Sequence, residues 1–310
     1  MSPEKVVEAL YRSIQLDPHT LTEDTARVTI HQNQVLGAHL VPGLQVEPQE
    51  RPDGIEARVV VTRGVRIAKP VHLCFGMLPE RGVQHIVLDI RMEAGAEASL
   101  IAHCTFPNAV DVRHEMDARI TLEKDATYSY FERHVHGPQG GVLVLPRAKV
   151  AVGEDARFKT EFVLISGRVG RLEIDYEILC QARSVMELTA RASGRGTDYL
   201  QLNETARLLG AGARGVLTTH IAVRDEAQAH VHNTLTAHAP DTRGHVDCKE
   251  IVQGRAVATA VPVVEVHDPK AHVTHEAAIG SVDSQQLMTL MSRGLTEDEA
   301  IELIIQGLLS

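Results

Sequence analysis

From about residue 55 to 280 the chain alternates apolar and polar residues in short runs, among them RVVVTRG, VHLCFGM, KVAVGED, HIAVRDE and VPVVEVH, separated by Gly, Asp or Ala. A period of two marks half-buried β-strands. The two ends break the pattern. Residues 3–15, PEKVVEALYRSIQ, bring Val6, Leu10 and Ile14 onto one helical face at four-residue steps. At the other end, DSQQLMTLMSRG carries Asp283 as an N-cap with Gln286 three residues on and Gly294 as terminator, and TEDEAIELIIQGLL opens on a Thr296/Glu299 capping box. The predicted organisation is an N-terminal helix and leading strands over 1–54, a β core over 55–280 and a helical hairpin over 281–310.

A loose unit recurs within the core: a polar residue, then Ala, Gly or Ser, then a short strand, as at Ala98, Ala156, Ser184, Gly215, Ala229, Gly244 and Ala271. The early steps, with Ala126 included, are roughly 28 to 31 residues, those to Ala229 and Gly244 roughly 12 to 15, and the last, to Ala271, 27. The short step is half the long one. One strand plus a corner fits the half-step, so two make one coil of a right-handed parallel β-helix with two sheets, an all-β core. A sandwich of hairpins needs repeated Asn-Gly or Asp-Gly turns, and Asp53-Gly54 is the one instance of either.

Composition narrows the class. With 44% hydrophobic residues in 310 but only 3% aromatic and no Trp, the core is expected to be layers of small and branched side chains. Acidic residues outnumber Lys plus Arg by 41 to 31, a field that repels phosphate backbones, so nucleic acid is not an expected partner. No apolar run approaches the roughly 20 residues of a membrane span, and MSPEKVVEALYRSIQ lacks a signal-peptide core; a cytoplasmic protein with no membrane partner is expected. Cys74, Cys104, Cys180 and Cys248 are widely spaced, with no CxxC pair to signal a disulfide framework or zinc ribbon.

Two of these features carry chemistry. Aligned on the repeat, RGHVDC and KAHVTH superimpose, which puts Cys248 and His275 in one slot of successive coils, 27 residues apart. Coils stack at about 4.8 Å, so thiolate and imidazole would share one metal centre, and both are good iron ligands. Glu276 falls on the opposite strand face and joins them only if the chain bends at AAIG or if it faces a neighbouring subunit. The other three cysteines read as small buried hydrophobes. HVH pairs at His134/His136 and His230/His232 each share one face and could hold zinc or iron, but the downstream carboxylate and regularly spaced third His of a His-ligated metalloenzyme do not follow. Neither a GxxxxGK[ST] loop nor a GxSxG elbow occurs. The helical stripes Leu287, Leu290, Met291 and Ile301, Ile304, Ile305, Leu308 either cap the solenoid or dock a partner.

VTHEAAIG followed by SVDSQQLMTLMSRGLTEDEAIELIIQGLL resembles the C-terminal signature of the SufB/SufD family, scaffolds of the SUF iron–sulfur cluster assembly system, and the similarity extends upstream through DCKEIVQG and AVPVVEV to GVRIAKPVHLCF. The resemblance implies that Cys248 matches the SufB-type cysteine that holds the nascent cluster. His275 then matches the histidine at the family's subunit interface, and Glu276 a SufB-type Glu where SufD has Gly. It further implies a transient iron–sulfur cluster, iron, a SufC-like ABC ATPase docked on the C-terminal helices, and sulfur donor and cluster acceptor proteins. The chain lacks most of the SufB N-terminal extension and has Thr274 where SufB often has another Glu, and Cys104 is the candidate for the family's sulfur-receiving core cysteine. So compact a scaffold resembles the minimal versions that pair with themselves as homodimers. The rival reading is a β-solenoid adaptor that only tethers an ATPase.

Overall fold

The computed structural model describes residues 2–310. Nineteen strands, β1–β19 in chain order, form a parallel β-solenoid whose strands from β4 on alternate between a ten-stranded and a nine-stranded sheet. From β4 onward each strand bonds in parallel to the one two places along the chain. Thus β12 (Gly170–Cys180), β14 (Tyr199–Leu208) and β16 (Gln228–Ala237) pair Leu172 with Leu200 and Leu200 with Ala229, a column of side chains with no exposure. Alternate residues of every strand point into such columns, the period-two pattern read along the chain.

The corners explain the repeat. Ala96, Ala126, Ala156, Ser184, Ala213 and Thr242 are fully buried, one per turn. Each follows a residue with positive φ: Gly95 (+68°), Asp125 (+60°), Asp155 (+58°), Arg183 (+55°), Gly212 (+70°) and Asp241 (+61°). Gly and Asp tolerate this left-handed conformation. Arg183 does not favour it, and its guanidinium is held against Asp155, Nε to Oδ1 at 2.7 Å.

The solenoid begins with two antiparallel hairpins. β1 (Arg27–His31) turns into β2 (Gln34–His39), and β3 (Leu44–Arg51) into β4 (Gly54–Val61). Helix α1 (Pro3–Ser13) packs Val6, Leu10 and Tyr11 beside Cys74, and Tyr11 Oη lies 2.9 Å from Thr29 Oγ1. At the far end, α2 (Ser284–Ser292) and α3 (Glu297–Leu309) start at the expected caps, with Asp283 accepting from the Gln286 amide and Thr296 and Glu299 forming a capping box.

Leu200→Ala should lower stability by about 2–5 kcal/mol, because the column above and below it cannot collapse into the gap. Val216→Ala, on the exposed face, should cost no more than about 0.5 kcal/mol. Urea midpoints of the two variants check the pair.

Candidate functional site

The last turn leaves the solenoid open. β19 (His272–Gly280) and β18 (Val257–Val266) are the outermost strands of their sheets, so one long side of each backbone has no neighbouring strand. Val257, Val261, Val266 and Ile279 are 47–54% exposed on these strands. Cys248 lies one rung in, on β17 (Arg243–Val252), and is fully buried; His275 and Glu276 are exposed on β19 itself.

The expected slot-for-slot pairing of Cys248 with His275 is corrected here. β17 and β19 pair Val246 with His275, Asp247 with Glu276 and Cys248 with Ala277, so this turn is 29 residues, not 27. The physical cause is that at some corners, as at Ala213 and Gly215 or Thr242 and Gly244, small residues occupy two positions two residues apart. Thr242 and Ala271 each sit just before their strand, whereas Gly244 pairs with Val273. Matching Gly244 to Ala271 therefore slipped the frame by two. A slip of two keeps the face, so Cys248 and His275 still share the inward side, one rung and two residues apart, roughly 8 Å between Cα positions.

Inward from the open end, Cys248 meets a chain of polar side chains. Asn233 Nδ2 lies 3.7 Å from Cys248 Sγ and 2.7 Å from Thr219 Oγ1, and the Thr219 hydroxyl donates to Glu204 Oε2 at 3.1 Å. Burial, reinforced by the carboxylates of Glu250, Glu204 and Asp247, pushes the Cys248 thiol up to about 12. Burial likewise raises Glu204 to about 8 and Glu250 to about 7. In the isolated chain Cys248 is a protonated thiol, and a metal ion must displace its proton to bind.

Glu276 takes the outer face, as strand parity requires. Its Oε1 is 3.2 Å from Lys249 Nζ, which is 3.0 Å from Asp247 Oδ2; His220 spans from Asp247 Oδ2 (3.3 Å) to the Leu308 carbonyl of α3 (3.2 Å). A polar path thus runs from the edge strand to the C-terminal helix. Helix α3 packs Ile305 and Leu309 on Ala222, with Ile301, Leu308 and Ile251 around them. Ile305, expected as part of a partner surface, is 1% exposed and turned to the solenoid, so that assignment is corrected. Leu287, Leu290 and Ile304 are half-buried, and Met291 is exposed. Leu303 and Met288, not singled out from the sequence, stand out at 47% and 64% exposure.

A second cluster was not foreseen. β7 (Glu97–Phe106) and β9 (Thr127–His136) pair Cys104 directly with His134, the thiol-over-imidazole stack expected at Cys248. Glu132, His134 and His136 point inward on alternate residues, and His114 faces them from β8 (Asp111–Leu122) of the other sheet. Burial lowers His114 and His134 to about 3, raises Glu132 to about 7 and drives Cys104 well above a free thiol. The second HVH pair differs: His232 is exposed and His230 half-buried against Thr259. Counting from the buried corner alanine separates the two, because His134 and His136 are an even number of residues past Ala126 and His230 and His232 an odd number past Ala227. The carboxylate sought downstream of His136 stands upstream, at Glu132. Among the described residues no helix is long and apolar enough to cross a membrane.

Residues 78–308 match the family model described as SUF system FeS cluster assembly, SufBD core domain. The chain is 34% identical over 305 residues to an iron-sulfur cluster assembly SufBD family protein of Methanocaldococcus jannaschii, covering 98% of this chain and 96% of that one. A SufBD family protein of Pyrococcus horikoshii is also 34% identical, over 306 residues, with 99% and 93% covered. The iron-sulfur cluster assembly protein SufD of Escherichia coli is similar at 22% identity over 327 residues, 94% of this chain and 75% of it.

Glu302 ties α3 to the solenoid, bonding Arg195 Nη2 through both oxygens (3.0 and 2.9 Å) and Arg224 Nη2 (2.5 Å). Partial burial pushes its carboxyl up, but the charges of Arg195 and Arg224 and the bonds from Arg224 and Gln306 outweigh it and hold it below the ordinary range. A depressed carboxyl stabilises docking above the ordinary carboxylate range and ceases to as pH falls through its folded value. Glu302→Gln should speed amide exchange in α3 about five-fold at neutral pH, the scale of a part-exposed charge pair. Acidification through the Glu302 range should lower the protection factors of these amides, exchange rates taken relative to their intrinsic values at each pH, in the wild type and change them little in the variant.

Proposed function

Because this chain belongs to the SufBD family of SUF-system iron–sulfur cluster assembly proteins, we propose that it is a scaffold on which a cluster is built, at the open last turn, with a second copy of the chain completing the site. The observation that carries this reading is the position of Cys248, an inward thiol one rung from an uncovered edge whose own strand bears His275 and Glu276.

An uncovered sheet edge with apolar side chains is a template for another strand. The opposite end supports the same choice: its edge strand β3 carries Glu47, Pro48, Glu50 and Arg51, which discourage pairing, whereas β18 reads VATAVPVVEV. A two-fold axis at the last turn would bring two Cys248, two His275 and two Glu276 to one interface. Thiolate and imidazole are the first ligands for incoming iron. Glu276 joins from the outer face by releasing Lys249, which addresses the parity problem at a subunit boundary without a bend in the strand.

The cluster is cargo, assembled and handed on. A buried, protonated Cys248 is shielded from iron and oxygen while the edge is closed; the edge opens rarely by itself and more often when work is supplied from outside. We assign the work to an ABC-type, SufC-like ATPase docked on the C-terminal helices, where Leu290, Leu303 and Ile304 line a groove with Val282 and Ile251. The path through His220, Asp247 and Lys249 to Glu276 gives its movement a mechanical route to the edge strand. ATP hydrolysis belongs to that partner and the scaffold itself is no enzyme; sulfur donor and cluster acceptor proteins would approach the same opening. A cytoplasmic setting follows from this role.

Anaerobic incubation with Fe3+, sulfide and a thiol reductant should give the wild type the broad visible sulfur-to-iron absorption of a bound cluster. Cys248→Ser and His275→Ala should each lose half of it or more. Equal absorbance from Cys248→Ser would remove that residue from the site.

A further inference from the structure

The inward cluster near the start of the solenoid lies several turns from Cys248, outside the open last turn. One ligand atom each from Cys104, His114 and His134 lie within 4.8 Å of one another, all buried. They come from three strands: Cys104 and His134 stack on neighbouring rungs of one sheet, and His114 reaches across from the other. A fourth donor stands beside them. Glu132 Oε1 is 2.7 Å from His134 Nε2 and 4.0 Å from Cys104 Sγ. His134 is fixed from its other side, its Nδ1 3.2 Å from His136 Nε2.

The hydrogen-bond account of this cluster does not close by itself. Neither ring nitrogen of His114 has a partner, and Glu132 Oε2 and His136 Nδ1 also lack one. A buried imidazole with both nitrogens unpaired is costly and calls for an explanation. A cation supplies it, since each neutral imidazole offers a lone pair and the thiolate and carboxylate together balance a charge of two.

We propose that Cys104, His114, His134 and Glu132 form a resident zinc site inside the solenoid. Sulfur, two nitrogens and one oxygen make a mixed tetrahedral donor set, and zinc takes such a set at about 2.3 Å to sulfur and about 2.0–2.1 Å to nitrogen. Those bond lengths ask the Cys104, His114 and His134 atoms to close by roughly an ångström from their present spacing, and Glu132 and His134, now at hydrogen-bond distance, to part by about half an ångström, both within the reach of side-chain rotation. Four protein donors leave no open position, the mark of a structural ion rather than a catalytic one. Bound there, zinc would clamp the two sheets together across the core, and His136 would set the orientation of His134 as an outer partner of a metal-bound histidine does.

The test uses the full chain, unfolded with chelator and refolded without oxygen in the presence of Co2+, a spectroscopic stand-in for zinc. One Co2+ per chain is expected, with tetrahedral visible bands and a thiolate-to-cobalt band in the near ultraviolet. Equimolar Zn2+ should bleach both, and equimolar Fe2+ should not, as the order of divalent affinities requires. Cys104→Ser should abolish the thiolate band and Cys248→Ser should leave it. His114→Gln, which has no hydrogen bond to lose, should refold and bind Co2+ at least about ten-fold more weakly, so it decides the matter if Cys104→Ser does not fold. Absence of the bands in the wild type, their survival in both ligand variants, their loss in Cys248→Ser or their bleaching by Fe2+ would each overturn the assignment.

Discussion

Everything in this molecule depends on the parallel register in which each turn bonds to the turn below. A turn of near-constant length, closed by a left-handed corner and a buried small residue, places every inward side chain in a column with its counterparts one rung away. Columns of Leu, Ile and Ala supply the burial that stabilises the fold. Where a column carries polar residues instead, they are forced into contact inside an apolar wall, and their chemistry changes: thiols hold their protons, histidines stay neutral, carboxyls rise toward neutrality.

Stacking also has to stop somewhere, and the two ends do so differently. At the first end the chain reverses into hairpins and lays α1 over the sheet, with charged residues and a proline on an edge strand. At the last end the solenoid stops with two strands unpaired along one side, apolar residues exposed, and the inward Cys248 one rung below. That asymmetry makes one end an interface in our account. The C-terminal helices do not cover the opening; α3 lies on the outer face of the solenoid, at Ala222 and Ile251, and is linked to the edge strand by the charged path through Lys249.

Much of the architecture was legible in the residues. Alternation, half-steps and the lack of hairpin turns pointed to a two-sheet solenoid, and capping residues placed the two C-terminal helices. The turn length was legible only to within two residues, because Thr242, Gly244 and Ala271 are all small and all in phase, so a frame built on small residues can slide without changing which face a side chain takes. That is why Cys248 and His275 were put on the correct side but in the wrong rows. The cluster at Cys104 escaped for a related reason: its members come from three strands of two sheets, and facing partners such as His114 and His134 are joined by topology rather than by any spacing. For Ile305 the sequence left capping and docking open, because helical periodicity reports an apolar stripe and not what the stripe rests on.

The central claim is that the uncovered last turn builds a cluster between two copies of this chain. Native mass spectrometry of anaerobically reconstituted protein tests it most directly. The account predicts a species of two chains carrying one iron–sulfur cluster, which falls to cluster-free chains when Val261 at the open edge is replaced by Lys. A cluster carried by single chains, or undiminished by that replacement, would contradict it.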